Sequence, residues 1–224
     1  MTRRSELKSS PQSPSADAER NPSLRAAGKA RSRLSLLQAA KALFVERGYE
    51  GATMRQIASA AGLSTGAVFA SFSDKADLFN AVLLADAEEQ ARRMEAVANA
   101  SGPIEQRLRR VLSVAYDFQL GQLELLRGAV ALSWSQGLAG KLGDRPVRQV
   151  VVAQISAIAC DAVERGELKP QTDVSLVADT LWDCYVANYR CAIFAGFDAE
   201  HLSLRIGDQI DLLLAGQRAG QRAG

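Results

Sequence analysis

The chain holds a single histidine and three cysteines among its 224 residues. His201 therefore has no second imidazole to join it in a metal site or a proton relay. Cys160, Cys184 and Cys191 form no C-x-x-C pair and have no histidine neighbours, so a zinc site is excluded. On one helix, Cys184 and Cys191 would stand two turns and roughly 10 Å apart, too far for a mutual disulfide. Cysteines used this way suit a reducing, cytoplasmic setting. No uninterrupted apolar run reaches the length of about 18 residues that a membrane span requires. The opening MTRRSELKSSPQSPSADAER has no apolar stretch behind its arginines, which argues against a secretory signal. Paired carboxylates are scarce too. Asp179 and Asp183, four apart, read as the edge of a solvated strip, because like charges at that spacing repel mildly. The sequence is not that of an enzyme, and it calls for no cofactor and no metal.

What is present is helix-forming and unevenly charged. Residues 1–80 hold twelve Lys/Arg against seven Asp/Glu, a net of +5, whereas the remainder carries a net of −3. Positive charge concentrated at one end is what a phosphate-binding module needs. Residues 1–29 are rich in Ser, Pro, Arg and Ala without apolar periodicity, and the spacing predicts a disordered basic tail. The closing AGQRAGQRAG is a low-complexity repeat, so residues 216–224 are expected to form a second disordered tail. Between the tails the apolar residues recur at helical spacing. Leu36, Leu37, Ala40, Leu43 and Phe44 share one face, which Gly48 would end. Ile104, Leu108, Val111 and Ala115 form another such stripe, and Val147, Val151, Ile155 and Ile158 a third. No segment alternates as a strand would. The expected fold is all-α, with a helix-turn-helix domain over 30–80 and a larger helical domain over 81–215.

The segment TMRQIASAAGLSTGAVFASFSDK carries the functional signal. Thr53 followed by Gln56 is a capping box for a short helix that turns Ile57 and Ala58 inward. Gly62 stops it, and Ser64 can cap the next helix, which buries Val68 and Phe72. Ser73 is expected to cap a long helix running to about Asn99. Two short helices around a glycine turn are the layout of a helix-turn-helix, whose second helix enters the major groove. Thr65, Gly66, Ala67, Phe69, Ala70 and Ser71 are left facing outward. Small residues there admit close approach of the backbone to DNA, while Ala67 and Phe69 can touch thymine methyls. Phe69 could instead be a partly buried ring. Arg55 can reach a base or a phosphate, and the helix N-termini offer N–H groups to phosphates.

From about Leu37 to Val82, roughly a fifth of the chain, the sequence resembles the TetR family of bacterial transcriptional repressors. The resemblance rests on Gly48-Tyr49, Thr53, Ile57-Ala58, Ala61-Gly62-Leu63-Ser64, Gly66, Phe72, Lys75 and Leu78. It implies Thr53 and Lys75 as phosphate anchors, Arg55 as a base or phosphate contact, and Thr65, Ala67, Ala70 and Ser71 as the reading face. Three positions depart from the family pattern. Phe69 replaces a usual tyrosine and loses its hydroxyl, while Ala70 and Ser71 stand where bulkier residues are common.

The resemblance also implies a ligand-binding and dimerisation domain. Tyr116, Phe118, Trp134, Trp182, Tyr185 and Tyr189 lie on helices that would wall a pocket for a small apolar or aromatic effector; each could equally fill the core. The helix over 174–195 is apolar on two faces and must be covered on both. Either a large core covers it or a second copy does. The interface expected for a homodimer is Val177, Leu181, Cys184, Asn188 and Cys191, with Ile206, Ile210 and Leu213 from the following helix. His201, at the start of that helix, is expected at the surface. The partners that follow are double-stranded DNA, a second copy of the chain and an effector, with no membrane, in a bacterial cytoplasm at the nucleoid. The rival readings are an activator on the same fold, and a helical ligand carrier or enzyme whose helix-turn-helix is vestigial.

Overall fold

A computed structural model describes residues 22–133 and 146–218. Nine helices are assigned within those residues: α1 (Pro22–Gly51), α2 (Met54–Ala60), α3 (Thr65–Phe69), α4 (Lys75–Ala98), α5 (Ile104–Leu120), α6 (Leu123–Ser133), α7 (Pro146–Glu164), α8 (Val174–Ala195) and α9 (Ala199–Ala215). No strand occurs among the described residues, only an isolated bridge between Leu168 and Arg218.

Local chemistry sets the first three helix ends. Gly48, at φ +69°, breaks the helical path of α1, a backbone setting that glycine adopts without a Cβ clash. Thr53 and Gln56 form the reciprocal capping box of α2, with Gln56 N donating to Thr53 Oγ1 and Thr53 N donating to Gln56 Oε1. Gly62, at φ +68°, turns the chain toward α3, where Ser64 Oγ accepts from Ala67 N at 3.2 Å. The cap of α4 differs from expectation by one residue. Asp74, not Ser73, is the N-cap, accepting from Asp77 N at 2.7 Å, while Asp77 reaches back to Ser73 N. Helix α3 is also shorter than expected, because Ala70 already serves as its C-cap.

Two apolar cores result. Phe44 of α1, Ile57 of α2, Val68 of α3 and Phe79 of α4 close the first. Met94, Leu112, Ile155, Leu181 and Ile206 lie in the second, which gathers the far half of α4 with α5, α7, α8 and α9. The division expected at residue 80 is crossed by unbroken backbone, since α4 runs from one core into the other. Helix α6 crosses it as well: Leu125 is buried in the first core and Leu126 in the second.

The described structure extends into both of the segments expected as tails. Helix α1 begins at Pro22, a residue whose fixed φ suits a first helical turn. At the other end, Lys169 N donates to Gln217 O at 2.8 Å and Arg218 pairs with Glu105 at 2.7 Å. Gly216–Arg218 are therefore tied to the fold, and residues 1–21 and 219–224 lie outside the described residues.

Candidate DNA-binding face and ligand cavity

Helices α2 and α3 bury Ile57, Ala58 and Val68, which fixes what they turn outward. Gly66, Ala67, Phe69, Ala70 and Ser71 are exposed and Thr65 is half-buried. Phe69 is 51% exposed, so the reading that placed its ring in the core does not hold. Thr53, Arg55 and Ser64 are exposed on the same unit. Nine of the ten residues expected from sequence to meet DNA are thus exposed or half-exposed on this unit, and all but Arg55 are uncharged.

Lys75 is placed differently. Its ammonium donates to Tyr49 O at 2.8 Å, sits 4.2 Å from the centre of the Tyr49 ring and lies 3.8 Å from Glu50. The side chain is 24% exposed, so this cation clasps the α1–α2 junction to α4. Behind it, Phe44, Tyr49 and Phe79 pack as an aromatic cluster with ring centres 4.9 to 6.0 Å apart.

A cavity of about 450 Å³ opens between the two cores. Its walls come from α4 (Asn80, Leu84, Asp86), α6 (Leu126, Val130) and α8 (Trp182, Tyr185, Tyr189), and Arg33 and Phe72 lie at the side of the DNA-binding unit. Three of the five expected ligand residues, Trp182, Tyr185 and Tyr189, line it. Tyr116 does not. It is fully buried behind Tyr185, with ring centres 4.8 Å apart, and donates to Tyr185 O. Trp134 lies outside the described residues. A second hollow of about 470 Å³ shares Val130, Trp182, Val186 and Tyr189 with the first and extends to Arg190 and Phe194.

Polar groups that sequence reasoning missed line or back this cavity. Gln119 Nε2 donates to Gln90 Oε1 at 2.5 Å, Gln90 Nε2 donates to the Tyr185 hydroxyl at 3.3 Å, and Tyr189 donates to the same hydroxyl. Burial pushes the phenols of Tyr185 and Tyr189 well above their ordinary range, so both remain neutral donors and acceptors. Asp86 Oδ1 accepts from Lys41 Nζ at 2.6 Å, an ion pair joining α1 to α4. A signal existed. Asp86 and Gln90 stand at positions that continue the stripe Phe79–Val82 and precede Met94, polar residues where the helical period demands burial.

The residues expected at a dimer interface divide by burial into two groups. Val177, Leu181, Asn188, Ile206 and Ile210 are buried inside one subunit, and Cys184, Cys191 and Leu213 are half-buried against the same core. The five buried side chains are covered within the chain, whereas Cys184, Cys191 and Leu213 keep part of their surface. The apolar groups that remain exposed on these helices are Leu176 and Phe194 of α8 and Leu204 and Leu212 of α9. Asp179 pairs with Arg148 of α7 at 2.7 Å, and exposed His201 pairs with its N-cap Asp198 at 2.7 Å. The three cysteines are free, and no cluster of potential metal ligands occurs among the described residues.

Among the described residues, a short helix-turn-helix is mounted on an all-α body that bears a cavity. Residues 36–82 match the family described as "Bacterial regulatory proteins, tetR family". The repressor AcnR of Corynebacterium glutamicum is 46% identical over 74 residues, which cover 33% of this chain and 37% of that protein. The chain thus spans well under half the length of the curated relatives it matches first. Over the whole fold, a chain from Mesorhizobium loti assigned to the TetR-family transcriptional regulators superposes with a TM-score of 0.69 at 24% identity, covering 85% of this chain and 98% of that one. FadR of Bacillus subtilis, solved in complex with stearoyl-CoA, gives 0.67 at 20% identity, covering 82% and 98%. The structural likenesses establish the fold alone. Over residues 36–82 the chain is similar to the TetR family of bacterial regulatory proteins, and over its described length it shares the fold of those solved structures.

Proposed function

We propose that the protein is a ligand-responsive transcriptional repressor that binds a palindromic operator as a homodimer and is released by a small apolar or aromatic effector. The observation that carries this reading is the position of the cavity. Its walls are α4 and α6, and both helices also pack in the core of the helix-turn-helix unit. An occupant that moves either helix moves the reading face.

On DNA, the exposed Thr65–Ser71 segment lies in the major groove, with Thr53 and Ser64 near the phosphates at the helix starts. Arg55, exposed in the first turn of α2, reaches a base edge or a phosphate. Lys75 acts mainly by holding the α1–α2 junction. Two such units related by a two-fold axis meet half-sites about 34 Å apart, or a multiple of that distance. The second copy packs on the outer faces of α8 and α9. Leu176 and Phe194 are eighteen residues apart, about five turns, and so share one face of α8.

Release follows from differential binding. A ligand that favours the operator-incompetent spacing by a few kcal/mol empties the DNA. Such a regulator works in the bacterial cytoplasm and requires no catalytic group. Selection of bound fragments from genomic DNA, followed by a reporter in a deletion strain, tests the reading. Enrichment of a two-fold symmetric site and increased expression on deletion support a repressor; decreased expression assigns an activator; no enriched fragment contradicts operator binding.

A further inference from the structure

We infer that the ligand of the α4–α6–α8 cavity carries a hydrogen-bond-donating head group, a hydroxyl or a protonated amine, seated against Asp86. The inference rests on reading that cavity as the effector site and adds the class of ligand it takes.

Asp86 is a cavity-wall residue only 5% exposed. One carboxylate oxygen is held by Lys41; the other, Oδ2, is buried and has no hydrogen-bond partner among the described residues. Asn80, on the same helix and the same wall, has its Oδ1 in the same condition. A buried acceptor without a donor is unfavourable, and more so when it is charged. Asn80 can turn either end of its amide to a ligand, but an unpartnered carboxylate oxygen specifies the chemistry of its missing partner: it donates.

Charge points the same way. Asp77 and Asp86 both line the cavity, and the carboxylate of Asp77 already accepts from Ser73 N at 2.9 Å. Among the described lining residues only Arg33 is cationic. It is exposed, with its guanidinium carbon 4.6 Å from the Phe72 ring centre. Gln119 and Gln90 each direct an amide donor into the polar chain that ends at Tyr185 rather than toward Asp86. A carboxylate or phosphate head group at Asp86 would therefore meet a like charge, with a guanidinium only at the rim. Leu126, Val130, Trp182 and Tyr189 leave the rest of the space suited to an aromatic or aliphatic body.

Three indoles that differ only at the end of a two-carbon arm test this: tryptamine (ammonium), tryptophol (hydroxyl) and indole-3-propionate (carboxylate). Calorimetric titration into the full chain at neutral pH is expected to show the amine and the alcohol each at least tenfold tighter than the acid. Asp86→Asn removes the charge at nearly constant shape and should abolish the amine's advantage over the acid. Lys41→Met leaves the whole carboxylate to the ligand and should tighten the amine; it keeps the test decisive if Asp86→Asn fails to fold. An acid that binds as tightly as the amine overturns the donor assignment, and so does an order of affinities unchanged in both variants. In either case the cavity remains a ligand site. Binding of none of the three overturns the donor assignment and the cavity reading together. Operator affinity of the same samples reports separately on the regulator, so its failure is distinguishable.

Discussion

Gly128 of α6 stands where a Cβ would lie 3.2 Å from the Phe79 ring and 3.2 Å from Tyr49 Cβ. Neither neighbour is the loose end of a flexible side chain. Gly128→Ala should therefore destabilise the protein by about 1–3 kcal/mol, the usual range for overpacking, read as a lower denaturation midpoint. Lys75, clamped on Tyr49 from the other side, makes a related case. Resemblance marked it as a phosphate anchor, whereas its geometry assigns it a structural bond. Lys75→Met should cost about 1 kcal/mol of stability and lower the salt slope of DNA binding by less than the unit expected for a full phosphate contact. A stability equal to the native protein's with a full unit lost from the slope would restore the phosphate role. Phe69→Tyr should leave the melting temperature unchanged, because the ring is already exposed, and tighten operator binding several-fold if the ring lies along a phosphate. The caps at Thr53 and Ser64 were legible because capping chemistry is local to three residues. At α4 the sequence reading chose Ser73, and the backbone places the cap one residue on, at Asp74.

Among the elements, helix ends were legible wherever glycine forced them, at Gly48 and Gly62. Faces were legible only as apolar or polar. Helix α8 is apolar on two sides, and periodicity cannot say which neighbour covers each. Leu181 was read as interface for that reason, yet it is buried inside the subunit. A substitution pair now separates the two faces. Leu181→Arg places an unpaired cation in the core and should unfold the subunit. Phe194→Glu with Leu212→Glu, at sites 80% and 79% exposed, should leave the secondary structure intact and give a sedimentation mass near that of one 24.0 kDa chain. A double variant that still sediments as a dimer would put the interface elsewhere. The role of α6 was not legible at all, because joining the first core depends on Gly128 admitting Tyr49 and Phe79, a contact between residues far apart in sequence.

In the whole molecule, all four tyrosines (Tyr49, Tyr116, Tyr185 and Tyr189) have phenols raised above their ordinary range, chiefly by burial. The unfolded chain releases these protons near pH 10 and the native one only at higher pH. Their contribution to stability is therefore fully present below about pH 10 and is lost as pH rises beyond it, since the unfolded state then binds fewer protons than the native state. Tyrosinate absorbance should appear together with loss of helical circular dichroism, in one transition. Gradual titration of a folded protein from pH 10 would show that the tyrosines around the cavity are wet.

If the exposed face of α3 reads DNA, a negative charge placed on it must weaken binding, and Ala67→Glu supplies that charge. Ala67 is exposed, and its N–H, not its side chain, serves the Ser64 cap, so the variant should melt as the native protein does. On DNA it would set a carboxylate against the polyanion, a like-charge contact costing several kcal/mol. Fluorescence anisotropy on the selected operator should then show affinity reduced by at least about a hundredfold. Undiminished affinity in a folded Ala67→Glu variant would contradict the account.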